Sequence, residues 1–111
     1  MQTITDEQMQ QMLMKTKEYV LVLLKANPDY KKEGFEKIIW EHARRNFSLC
    51  EEGSLNIVGP ITKQHDVAGI YIFDADEEKV KEIMAEDPAV KEGIFNFEIL
   101  PLRSFTGDAL S

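Results

Sequence analysis

His42, His65, Cys50 and Ser48 are the side chains of this 111-residue chain whose type could start proton-transfer or nucleophilic chemistry. His42 lies four residues after Ile38 and seven after Phe35, which places it on the inward stripe of an amphipathic helix. An imidazole there can take or give a proton near neutrality once burial and a hydrogen-bonding partner tune it. Asp87 is the candidate partner. It stands immediately before Pro88, where a chain leaves regular structure and a carboxylate can turn into a crevice. A carboxylate bonded to an imidazole fixes its tautomer and raises its basicity. Each residue also has a structural reading, as a hydrogen-bonded core histidine and as a turn aspartate ahead of a proline.

The remaining candidates are weaker. His65 and Asp66 sit in a polar connection, and two histidines with one cysteine have no short-range ligand spacing, so no metal is expected. Cys50 closes the same helix as His42, the setting of an inert buried thiol, and Ser48 has no nucleophile elbow around it. Gly53, Gly59, Gly69 and Gly93 are scattered and form no phosphate loop, so the expected chemistry is cofactor-free. The pairs Tyr71/Phe73 and Phe95/Phe97 could imitate an RNA-stacking sheet, but the surrounding charge has the wrong sign and they read as core or interface packing.

Composition narrows the classes further. Twenty acidic residues against 13 basic ones give a net charge of -7, which argues against nucleic acid and anionic membrane as partners. The longest apolar run, Tyr19 to Leu24, is far short of the ~20 residues that span a bilayer. A single cysteine and no apolar leader after Met1 make the cytoplasm the expected location.

These side chains must be positioned by one domain's worth of elements. Residues 1–18 read as a short amphipathic helix begun by Thr5 or Asp6, with Met9, Met12 and Leu13 on one stripe that packs on its own domain or on a partner subunit. Tyr19 to Ala26 reads as a strand buried on both faces, and Gly34 to Glu52 as a helix with Phe35, Ile38, Ile39, His42, Phe47, Leu49 and Cys50 inward, stopped by Gly53. Ser54 to Val58 is a strand closed by Gly59 and Pro60, and Val67 to Phe73 a central strand completing a hairpin. Asp74 or Asp76 caps a helix that puts Val80, Ile83 and Met84 inward and ends near Asp87. A helical turn through Val90 leads to a last strand, Ile94 to Leu100, stopped by Pro101, with a weakly patterned tail over 103–111. The order strand, helix, strand, strand, helix, strand is α+β and builds a four-stranded antiparallel sheet with both helices on one face. The other face would expose an apolar patch, which a homodimer with facing sheets covers, or which the leading helix covers in part.

Over Tyr19 to Leu102, roughly three quarters of the chain, the sequence resembles the YCII-related (YciI-like) proteins of the dimeric α+β barrel group. The resemblance rests on an ordered set: the apolar strand from Tyr19, His42, Glu52-Gly53-Ser54-Leu55, Gly59-Pro60, and Glu86-Asp87-Pro88-Ala89-Val90-Lys91-Glu92-Gly93-Ile94-Phe95. It implies a ferredoxin-like βαββαβ protomer over 19–102, preceded by the helical extension 1–18, dimerising through its sheets. It also implies an active site using His42 and Asp87. One branch of the family looks like lyases that remove chloride from chlorinated hydroxyquinones. The leading expectation is a small lyase- or isomerase-type enzyme acting on a small aromatic or carbonyl-activated substrate, with His42 as base or acid and Asp87 orienting it. The alternatives are a non-catalytic ligand-binding or structural module and a ligand-sensing regulatory domain.

Overall fold

Hydrophobic alternation and helix caps set the elements of the computed structural model, which describes residues 1–30, 33–107 and 109–110; positions 108 and 111 of the expected tail lie outside the described residues. In chain order these are α1 (Asp6–Leu13), β1 (Thr16–Ala26), α2 (Glu36–Glu52), β2 (Leu55–Pro60), β3 (Val67–Phe73), α3 (Glu77–Ala85), α4 (Pro88–Lys91) and β4 (Phe95–Phe105). The strands pair antiparallel in the order β2-β3-β1-β4, so β1 and β3 are central and the architecture is the α+β, ferredoxin-like one.

Val20, Val22 and Leu24 of β1 point to one face and meet Leu55, Tyr71 and Phe73 from the neighbouring strands. Leu49 of α2 and Val80, Ile83 and Met84 of α3 close that core from above. Each such buried side chain contributes about 1.5–3 kcal/mol, which is what holds the helices on the sheet. The opposite face carries a cross-strand row, Ile57, Ile72, Leu21 and Leu100, with Ile70 beside Leu23 below it. These side chains are only half-buried within the chain, so β1 is buried on one face and not on both as its composition suggests.

Other boundaries depart from expectation for identifiable reasons. The leading helix is confined to α1, where Thr5 and Gln8 form a capping box, and none of its residues is buried, so it does not pack on its own domain. Thr16 to Glu18, expected in the N-terminal extension, belong to β1 because they pair with Phe105, Ser104 and Arg103. Backbone pairing with a neighbouring strand outweighs their polar composition. Pro101 does not stop β4, and Pro60 belongs to β2: both strands lie at sheet edges, where a missing N–H need not break the ladder. Phe47 is 68% exposed although it was expected inward. Five residues past His42, it is rotated roughly 140° around a helix of about 3.6 residues per turn.

Candidate active site

His42 reaches the interior because α2 lays one stripe, His42, Asn46 and Leu49, against the sheet, before Gly53 at φ 89° ends the helix. Asp87 reaches the same place from the other crossover. Its backbone is extended at the start of α4, and its Oδ2 accepts hydrogen bonds from the N–H groups of Ala89 at 3.0 Å and Val90 at 3.3 Å. Pro88 at the first helical position needs no such partner, so the Asp-Pro step is a helix cap that aims a carboxylate inward. The adjacent Glu86 is instead exposed and bonds Lys91 at 2.9 Å, which holds its carboxyl below the ordinary range.

The two sequence-predicted residues meet. His42 Nδ1 lies 2.9 Å from Oδ1 and 2.8 Å from Oδ2 of Asp87, whose residue is 1% exposed. A carboxylate can only accept there, so Nδ1 carries the proton and donates it, and the Nε2 lone pair faces away from Asp87. Arg45 Nη1 stands 3.9 Å from Asp87 Oδ1 and supplies a more distant, cationic neighbour. Phe95 packs against the imidazole with ring centroids 5.4 Å apart.

On its Nε2 side the ring meets two groups whose roles the sequence reading missed. Asn46 Nδ2 is 3.4 Å away and the Tyr71 hydroxyl 3.5 Å away, both near the outer limit of a hydrogen bond. Burial pushes the Tyr71 phenol far above its ordinary pKa, with the nearby Asp87 charge adding to the effect, so it stays a neutral O–H donor. Asn46 could have been found from its place one turn after His42 on the same face. Tyr71 carried no such signal, because its place in an apolar strand marks it only as core.

These atoms border a cavity of about 320 Å³ between α2 and the sheet, walled by Leu24, Ile39, Val58, Gly69 and Phe95. At its floor Gly69 lets β2 approach closely, since a Cβ there would sit 2.9 Å from the Gly59 carbonyl oxygen. A larger concavity of about 500 Å³ on the outside of α2, beside Trp40 and Phe47, contains neither His42 nor Asp87. A small molecule in the inner cavity would meet a hydrogen-bond acceptor at Nε2, the amide of Asn46 and apolar walls. That arrangement suits removing a proton and holding the resulting imidazolium against Asp87.

The other candidate residues lie apart from this constellation. His65 is exposed and its Nδ1 accepts from the Val67 N–H at 3.0 Å. Ser48 donates back to the Arg44 carbonyl at 3.2 Å, and Cys50 packs against the core. Among the described residues no helix is long and apolar enough to cross a membrane.

Known proteins bear on this arrangement in three ways. The chain has no match among curated proteins. Among solved structures it is similar to 5-chloro-2-hydroxyhydroquinone dehydrochlorinase from Burkholderia phenoliruptrix, in complex with 2,5-dihydroxybenzoquinone. That similarity has a TM-score of 0.51 at 19% identity and covers 80% of this chain and 95% of the other, so it supports the fold. The family description "YCII-related domain" matches residues 9–103, beginning inside α1 and ending within β4. With that match spanning most of its length, the chain belongs to the YCII-related family.

Proposed function

We propose that this protein is a small cofactor-free enzyme in which His42 moves a proton and Asp87 holds it in place, in a lyase- or isomerase-type reaction on a small aromatic or carbonyl-activated molecule. The observation that carries this reading is the doubly contacted Nδ1, 2.8 and 2.9 Å from the Asp87 oxygens, which leaves Nε2 as the basic atom at an apolar cavity. Nε2 takes a proton from a substrate C–H or O–H; the imidazolium that forms sits against the Asp87 carboxylate. Return of that proton to another carbon gives isomerisation, and departure of a leaving group such as chloride gives elimination. Proton transfer of this kind contributes about 10² to 10⁴ in rate and needs only the base and its orienter. The dehydrochlorinase named above has an activity of the elimination type, which supports the class.

The test is solvent exchange. Chlorinated and unchlorinated hydroxyquinones and small cyclic ketones and lactones are incubated with the protein in deuterated water, and loss of C–H proton signals and release of chloride are followed. Exchange or chloride release that disappears in His42→Gln supports the enzyme. A complete panel without either favours the alternative of a binding or structural module.

The same reading includes a cytoplasmic homodimer joined through the half-buried row Ile57, Ile72, Leu21 and Leu100. Sedimentation equilibrium checks the assembly: Leu21→Glu should shift a dimeric mass to that of the monomer, and an unchanged mass would remove this part of the proposal.

A further inference from the structure

Two apolar surfaces lie outside both the core and the His42 cavity. On α1, Met9, Met12 and Leu13 form one stripe. Ile4 continues it just ahead of the Thr5 cap, the position from which an apolar residue packs on the fourth helical residue, here Met9. All four are exposed, and a helix of eight residues is too short to be stable in water by itself, where roughly 12–15 are needed. Its apolar stripe therefore calls for a partner. On α2, Trp40 is 66% exposed and stands two turns before Phe47, on the side turned away from the sheet. Ala43 is one turn from each and fills little of the space between them, a hollow of about 500 Å³ that runs on to Glu51.

We propose that α1 of one copy of this chain docks on the outer side of α2 of a second copy, laying the stripe from Ile4 to Leu13 along the hollow between Trp40 and Glu51. Length and charge match. The stripe is about 13 Å long and the hollow about 16 Å, from the helical rise per residue. Run in the same direction, α1 brings Asp6 and Glu7 beside Arg44, whose side chain is 63% exposed despite its bond to Glu41, and Lys15 beside Glu51. Exposed ion pairs of this kind set the direction of docking and add little affinity. The chain's own α2 is not the target. The Lys15 N–H bonds the Met12 carbonyl and the Thr106 N–H bonds the Lys15 carbonyl, each at 3.1 Å, and Thr16 already pairs with Phe105. The joint between α1 and β1 is thereby fixed, and it holds α1 off its own domain. One two-turn helix covers less than the roughly 1,200 Å² of a stable interface, so the contact fastens copies already held together. In this it rests on the sheet-joined dimer proposed above, whose Leu21 lies on the strand that α1 leads into.

Trp40 is the chain's one tryptophan and reports its own burial by its emission. In the dimeric wild type that emission should be blue-shifted and shielded from acrylamide. Met9→Gln, Met12→Gln and Leu13→Gln together keep helix-forming residues at exposed positions, and should move the emission to that of a hydrated indole while sedimentation still finds a dimer. Coexpression of that triple variant with an excess of Trp40→Phe chains, which have no tryptophan but an intact α1, should restore the blue shift, since each indole then meets the helix of another copy. Failure to restore it places the helix on its own chain and overturns the proposal, as does an emission that the three changes leave where it was. A dimeric wild type whose Trp40 is as hydrated as in the variant overturns this contact and leaves the sheet-joined dimer standing; a monomeric wild type removes both.

Discussion

The two histidines occupy opposite kinds of surroundings. His42 has its carboxylate partner 45 residues away in the sequence and 2.8 Å away in space, inside the layer between α2 and the sheet. His65 has an aspartate as its chain neighbour, yet it stays exposed and spends its Nδ1 on the backbone N–H of Val67. Adjacency in sequence gives a histidine and an aspartate no reason to share a proton, whereas two crossover connections packed on one sheet face can force them together. The pairing is a product of topology.

Four changes test that contrast, from the largest effect to the smallest. His42→Gln should lower any catalysed proton exchange by about 10² to 10⁴, followed by the deuterium assay described above. Its effect on stability should be smaller than that of the change at Asp87. That carboxylate keeps the two N–H groups of α4 and the Arg45 guanidinium as partners when the imidazole is gone. Asp87→Ala removes both a helix cap and the acceptor for a buried N–H, and urea denaturation should show a loss of roughly 2–4 kcal/mol. An effect no greater than that of His42→Gln would mean the two residues are less unequal than the geometry indicates.

High pH probes the same layer through Tyr71, whose folded pKa is raised above its ordinary value of 10.0 chiefly by burial. Its contribution to stability is fully present below that ordinary value and is lost as pH climbs above it toward the folded value. The loss should approach about 1.4 kcal/mol per pH unit in that window, because only the unfolded chain sheds the proton there. Ultraviolet titration at about pH 11 should find one phenolate fewer in the native protein than in the urea-unfolded chain. Finally, His65→Ala should leave exchange unchanged and stability within about 0.5 kcal/mol, as for an exposed surface position. A loss comparable to that at His42 would erase the distinction between the two sites.

Much of this arrangement was legible beforehand because it depends on patterns that survive without knowledge of neighbours. The apolar run Val67 to Phe73, the turn at Asn27-Pro28 and the capping aspartate at 74 or 76 each speak for themselves, and the cap falls on Asp76. His42 and Asp87 were proposed as partners from their local settings and from the family resemblance, and the structure places them in contact. What failed to show were features decided by a second segment. Thr16 to Glu18 become strand only because β4 runs alongside, and β4 continues through Pro101 only because it is an edge. On α2 the inward place assigned to Phe47 belongs to Asn46. A large aromatic is the more natural core residue, and the polar one was passed over although its spacing from His42 was the better guide.

Asp87 has two tasks that cannot be separated by mutation alone: it starts α4 and it holds His42. His42 has only the second. The selective histories open to the two positions therefore differ. If the proposed reaction were lost and the protein kept, the aspartate would still be retained by selection on folding, while the histidine would be released to drift. On the proposed function, folding alone would keep the aspartate-proline step at the start of α4, and the proton transfer alone would keep the histidine that faces it.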